Sequence, residues 1–151
     1  MKIYVASSWR NEEQPEIVGL LRDLGHEVYD FKNPPNRSGF GWEQTWTGRP
    51  DKPSTLLKTL ADPIAIAGFK EDMGALERCD ACVLVMPAGI SANMEFGWAK
   101  GAAKIAVAYI PDAPYANGRS FEPELMWLMG TKIFTERGDL LRFFSPPSNH
   151  S

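Results

Sequence analysis

Ala81-Cys82-Val83-Leu84-Val85-Met86 runs into Pro87-Ala88-Gly89-Ile90-Ser91-Ala92 and then into Asn93-Met94-Glu95-Phe96-Gly97-Trp98-Ala99-Lys100-Gly101. The first six residues are apolar and bounded by Asp80 and Pro87, the pattern of a strand buried on both faces. The next six read as a loop and the rest as a helix. Glu95 therefore falls in the first turn of a helix, just beyond the carboxyl end of a central strand, where open α/β sheets place their ligands. It is the leading candidate for chemistry.

Working outward, Lys2-Ile3-Tyr4-Val5-Ala6 forms a first strand. Ser7-Ser8-Trp9-Arg10 is a tight loop, and Asn11 is an N-cap for a helix from Glu12 to Leu24, stopped by Gly25. Glu27 to Phe31 alternates as a second strand. From Lys32 to Pro53 prolines and glycines break the pattern, yet the stretch carries Phe40, Trp42 and Trp46. Long loops in compact domains are functional or disordered. Its aromatics either close the core or a subunit contact, or, with Trp42 and Trp46, form a lid that stacks on a flat ligand.

A helical segment near Leu56-Leu57 precedes a helix from Ile64 to Arg78. Ile66, Phe69, Met73 and Leu76 give its apolar face, with Asp72 beside that face. Ile105 to Ile110 is the fourth strand, Pro111 to Ser120 a turn-rich loop, and Glu122 to Met129 a short helix. Lys132-Ile133-Phe134 is an edge strand, and Leu140 to Phe144 ends a last helix. The expected architecture is one α/β domain over residues 1–145 with a frayed tail at 146–151. Its fold is flavodoxin-like (Rossmann-like): a three-layer sandwich around a five-stranded parallel sheet.

The 151 residues are 44% hydrophobic and 23% charged, with a net charge of −3. That balance argues against general affinity for nucleic acid polymers or anionic membranes. No apolar run approaches the ~18 residues of a membrane span. The chain starts directly in a strand, not in a secretory apolar region, so the expected compartment is the cytoplasm. Cys79 and Cys82 have C-x-x-C spacing, but Cys82 lies in a strand and no second pair or nearby His completes a zinc site. Two structural thiols and no metal are expected.

In the flavodoxin-like order the first and third strands are neighbours, so their loops open on one crevice. It collects Glu95, the hydroxyls of Ser7, Ser8 and Ser91, Arg10 and two helix starts, a set suited to phosphate or sugar oxygens. Two carboxylates with hydroxyls and aromatics suit displacement at an anomeric carbon, one carboxylate attacking to form a covalent glycosyl intermediate. On position alone Glu95 serves equally to complement its helix dipole, and Asp72 to solvate a helix face.

Three blocks resemble the nucleoside 2-deoxyribosyltransferases and their nucleotide N-hydrolase relatives: Ile3 to Trp9, Glu71 to Cys82, and Asn93 to Ala99. They fall in the family's order and cover about half the chain. The resemblance implies that Glu95 is the nucleophile and that Tyr4 holds its carboxylate. Asp72 would bind the sugar side or handle the proton of the departing base, with Trp9 packing on that base. Met94, beside the nucleophile, joins the implied substrate-binding set. So does Gly89, which stands where the transferases carry an acidic residue and the phosphate-binding hydrolases a serine; Ser91 is the nearest hydroxyl. Ser8 and Arg10 look like the Ser and Arg of the nucleotide hydrolases. Phe40 to Trp46 matches neither subgroup.

The resemblance implies no metal or organic cofactor, a small nucleoside or nucleotide as partner, and a homo-oligomer. The expected activity is cleavage of an N-glycosidic bond, with water or a second base receiving the sugar. A non-catalytic nucleotide-sensing module and a NAD-type glycohydrolase stand as alternatives.

Overall fold

The computed structural model describes residues 1–35, 37–48, 52–112 and 123–147. Its strands are β1 (Lys2–Ala6), β2 (Glu27–Asp30), β3 (Ala81–Val85), β4 (Ile105–Tyr109) and β5 (Lys132–Phe134). They form an all-parallel sheet in the order β2-β1-β3-β4-β5, the flavodoxin-like arrangement expected. The helices are α1 (Glu13–Asp23), α2 (Pro53–Leu60), α3 (Pro63–Arg78), α4 (Ile90–Gly101) and α5 (Arg137–Phe144), with 3-10 turns at Trp42–Gln44 and Leu125–Met129. Among the described residues no helix is long and apolar enough to cross a membrane.

Strand alternation sorts the core into two layers. Ile3, Val5, Val83, Val85 and Val107 pack on one face against Ile17, Val18 and Leu21 of α1 and Leu140 and Phe144 of α5. Tyr4, Ala6, Cys82, Leu84, Ala106 and Ala108 pack on the other against Leu76 of α3 and Phe96 of α4. All five residues of β3 are buried, so both its faces are covered. Each fully buried Val, Leu, Ile or Phe side chain contributes about 1.5–3 kcal/mol. The alanines on the α3/α4 face leave room for larger groups above them, notably Phe96, Trp127 and the Tyr4 ring.

The N-cap of α1 is Glu12, one residue later than expected, yet Asn11 still satisfies the helix start: its side-chain oxygen accepts from Glu13 N at 2.9 Å. Its amide nitrogen reaches Ser7 Oγ, Val85 O and Pro87 O at 2.9, 3.1 and 3.2 Å. The loops after β1 and β3 are thereby joined. Gly25, at φ +86°, follows α1 in the left-handed region that glycine adopts without strain.

Two local expectations are corrected. The inner face of α3 is made by Ala65, Gly68, Ala75 and Leu76, while Ile66 and Phe69 are exposed. Small residues let α3 lie close to its neighbours: a Cβ on Gly68 would stand 3.1 Å from the Phe40 ring. Second, α4 begins at Ile90 behind an extended Gly89. Ile90, Ser91 and Ala92 are its first turn, and Glu95 lies in the second. Dipole complementation, which fades beyond the first turn, is therefore a weak account of this carboxylate. The Pro111–Ser120 loop and the start of the helix expected at Glu122 fall largely outside the described residues, as does the tail beyond 147.

Candidate active site

Tyr4 is fully buried in the middle of β1, on the sheet face that α3 and α4 cover. From α4, Glu95 meets it: Tyr4 OH donates to Glu95 Oε1 at 3.1 Å. From α3, Asp72 meets the neighbouring strand: Tyr29 OH on β2 donates to Asp72 Oδ1 at 2.7 Å. Tyr4 and Tyr29 are register partners in the sheet, and their rings stack at 5.3 Å with 18° between planes. Two tyrosine-carboxylate pairs thus stand side by side.

Burial and the negative charge of Asp72 push Glu95 up from 4.5 to about 7, against the lowering effect of the Tyr4 hydrogen bond. Asp72 is also raised, by burial above all; Tyr29 and Arg37 oppose the rise and Glu71 adds to it. Both tyrosines are pushed far above their ordinary range by burial and by the carboxylates, so each hydroxyl remains a donor. Such perturbed, mutually coupled carboxyls mark candidate catalytic centres.

Segment 37–48 lies over α3. Arg37 forms an ion pair with Glu71, Phe40 covers Gly68, and Trp46 N donates to Asp62 Oδ2 at 2.8 Å. Asp62 also caps α3 through Oδ1, which accepts from Ile64 N at 2.8 Å. Trp42 packs edge-on against Phe40 at 4.9 Å, and Trp46 is 71% exposed. Trp9, half exposed, meets Phe31 edge-on at 5.5 Å, and a Cβ on Gly39 would lie 2.5 Å from its ring. The post-β1 loop and the aromatic segment therefore touch through Trp9 and Gly39.

The remaining crevice residues have mixed roles. Ser7 Oγ donates to Val85 O at 2.7 Å, a structural tie between strand ends. Ser8 Oγ accepts from Arg10 N at 3.2 Å, and the Arg10 side chain is exposed without a partner among the described residues. Ser91 and Gly89 sit exposed at the start of α4. Met94 is 69% exposed and lines a groove of about 560 Å³ with Ile90, Met126 and Trp127. Trp127 Nε1 donates to Asn93 Oδ1 at 3.0 Å, fixing the 3-10 turn to α4. Among the described residues no cluster of His, Cys, Asp and Glu is placed to hold a metal ion. Cys79 and Cys82 are buried free thiols, both raised by burial.

Tyr29 and Asn11 are the partners that sequence reasoning missed. The alternation of β2 fixes which face Tyr29 occupies, but its pairing with Tyr4 and Asp72 depends on sheet register. The sequence marks Asn11 only as a residue of the helix start, whereas its hold on Val85 and Pro87 follows from the β1-β3 adjacency.

The fold as a whole recurs in solved structures. The chain is similar over 96% of its length to a 2-deoxyribosyltransferase from the psychrotolerant bacterium Bacillus psychrosaccharolyticus, with 96% of that chain covered, 20% identity and a TM-score of 0.63. A conserved protein of Enterococcus faecalis V583 matches at 16% identity and TM-score 0.65, covering 95% of this chain and 96% of that one. The CMP N-glycosidase of Clostridium botulinum matches at 14% and 0.51, covering 95% and 97%. At these identities the likeness is one of fold. No family model and no curated protein matches the sequence.

Proposed function

We propose that the chain cleaves the N-glycosidic bond of a nucleoside or nucleotide through Glu95, passing the sugar to water or to a second base. The observation that carries this reading is the pairing of a half-buried, tyrosine-held Glu95 with a second tyrosine-held carboxyl on the neighbouring helix α3. Glu95 Oε1 is engaged by Tyr4, while Oε2 has no hydrogen-bond partner among the described residues and is the attacking atom. As Oε2 bonds to the anomeric carbon, the N-glycosidic electron pair leaves on the base nitrogen, which takes a proton delivered from the Asp72 side. Water or an acceptor base then displaces the glycosyl ester and restores the carboxylate. Trp9 and the aromatic segment supply stacking surface for the base, and Arg10 with Ser8 supplies contacts to a phosphate. The fold neighbours include a deoxyribosyltransferase and a CMP N-glycosidase, which supports this class of reaction.

The test is incubation with deoxy- and ribonucleosides and their monophosphates, with and without a free acceptor base, followed by chromatography. Base release without acceptor identifies a hydrolase; release or exchange only with acceptor identifies a transferase. Retention of every substrate unchanged despite detectable binding would sink the enzymatic reading in favour of a sensing module.

We further propose that the working form is a homo-oligomer. Ile90, Met94 and Trp98 recur at i, i+4, i+8 and are exposed on α4, and Ile90 and Met94 share a groove with Met126 of the 3-10 turn; Ile66 and Phe69 of α3 and Leu125 and Leu128 of the turn are exposed as well. Exposed apolar surface of this extent is usually covered by a partner. Light scattering is expected to give at least twice the 16.8 kDa chain mass, and Met94→Glu to lower it. A wild-type particle of single-chain mass at roughly tens of micromolar protein would rule this out.

A further inference from the structure

We propose that Tyr29 is a positioning residue that confines the transferable proton of Asp72 to its Oδ2 oxygen; the inference rests on the N-glycosidic reading above and deepens it. Tyr29 OH donates to Oδ1 at 2.7 Å, and Oδ2 has no hydrogen-bond partner among the described residues. A carboxyl oxygen that accepts a short hydrogen bond is the poorer site for a proton, so a protonated Asp72 carries its hydrogen on Oδ2. That proton passes to the base nitrogen as the nitrogen receives the glycosidic electron pair, and Glu95 becomes the glycosyl ester. Asp72 is left as a carboxylate that Tyr29 continues to hydrogen-bond. In the second half-reaction the proton of water, or of the acceptor base, returns to Oδ2.

The hydroxyl, and not merely an aromatic ring, is what the arrangement uses. Tyr29 is held by its stack on Tyr4, which it opposes in the β1-β2 register, so the direction of its O–H is set by the sheet. Phenylalanine would fill the same space and keep the stack. The groups bearing on this proton are Tyr4 and Tyr29 from the sheet, Glu71 on α3, Glu95 on α4, and Arg37, paired with Glu71, from the overlying segment. Among these, Tyr29 alone bonds directly to Asp72.

The experiment is Tyr29→Phe, read in two independent ways. In the first, carboxyl carbons are labelled and followed by NMR across pH, with Asp72 assigned by its loss in Asp72→Asn. Removing the donor is expected to move the Asp72 titration to higher pH and the Glu95 titration to lower pH, since a protonated neighbour no longer repels a charge on Glu95. An Asp72 titration that stays in place overturns the proposal. In the second, kcat for base release is expected to fall about 10- to 100-fold with KM little changed. In an Asp72→Asn background Tyr29→Phe should cost nothing further; an undiminished loss there shows that Tyr29 does not act through Asp72. The NMR arm needs no turnover. If wild-type chain releases no base, the N-glycosidic reading and the proton's catalytic use fall together, while the titration still decides whether Tyr29 governs Asp72.

Discussion

Glu95→Gln is expected to cut base release roughly 10³-fold or more while leaving the chain folded. The amide keeps the volume of the side chain and an oxygen for Tyr4 to hydrogen-bond, but it lacks the charge needed to attack an anomeric carbon. The same substitution should stabilise the protein at alkaline pH. In the unfolded chain the carboxyl titrates near its ordinary 4.5, and in the folded chain near 7. Between those values the folded chain retains a proton that the unfolded chain has lost, so stability falls as pH rises through this window, and the cost is fully present above 7. A neutral glutamine escapes that cost, raising stability by about 1–3 kcal/mol at pH 8 and by little at pH 4. Urea midpoints at the two pH values check this. A variant that loses activity and stability together at pH 8 would place Glu95 among the structural side chains instead.

The second large effect concerns pH. Attack requires ionised Glu95, so kcat/KM is expected to rise with pH along a limb centred near 7. Two substitutions should move that limb in opposite directions. Tyr4→Phe deletes the hydrogen bond that favours the carboxylate, sending the limb alkaline and lowering the rate at neutral pH about 10- to 100-fold. Asp72→Asn deletes the negative charge that Asp72 carries when ionised, sending the limb acid, and lowers the maximal rate because the proton that the protonated Asp72 delivers is gone. Profiles of kcat/KM for the three proteins test the pair of signs. Shifts in a common direction would mean that Glu95 is not the group titrating on that limb.

The sheet was legible because β1, β3 and β4 are short apolar runs separated by helix-length segments, and a central strand buried on both faces leaves a continuous run in the sequence. Glu95, Tyr4 and Asp72 were legible through the blocks that carry them. What escaped depended on contacts between distant elements. The large residues Ile66 and Phe69 suggested the wrong inner face for α3, since hydrophobicity alone does not distinguish a core stripe from an exposed one. The small residues Ala65 and Gly68 in fact turn inward, on the side from which Asp72 reaches Tyr29. α4 starts earlier than the sequence suggests because Ser91 reads as a loop residue, although Ile90 and Ala92 on either side are compatible with a first helical turn. Tyr29 gave no signal beyond alternation, as nothing local marks which strand it will pair with.

The anchoring of segment 37–48 bears on how such a protein diversifies. Arg37, Phe40 and the Trp46 amide hold it to α3 or its cap, Thr47 ties it to Thr59 of α2, and Gly39 lies against Trp9 of the post-β1 loop. The aromatic span between them is thus mounted on the scaffold like an interchangeable fitting, apart from the tyrosines and carboxyls below it. Lineages can rewrite that span, or an engineer can graft another between the same anchors, and leave the paired tyrosines and carboxyls in place. Asp62 is the exception: because it both caps α3 and grips the span, a change there disturbs fitting and scaffold at once.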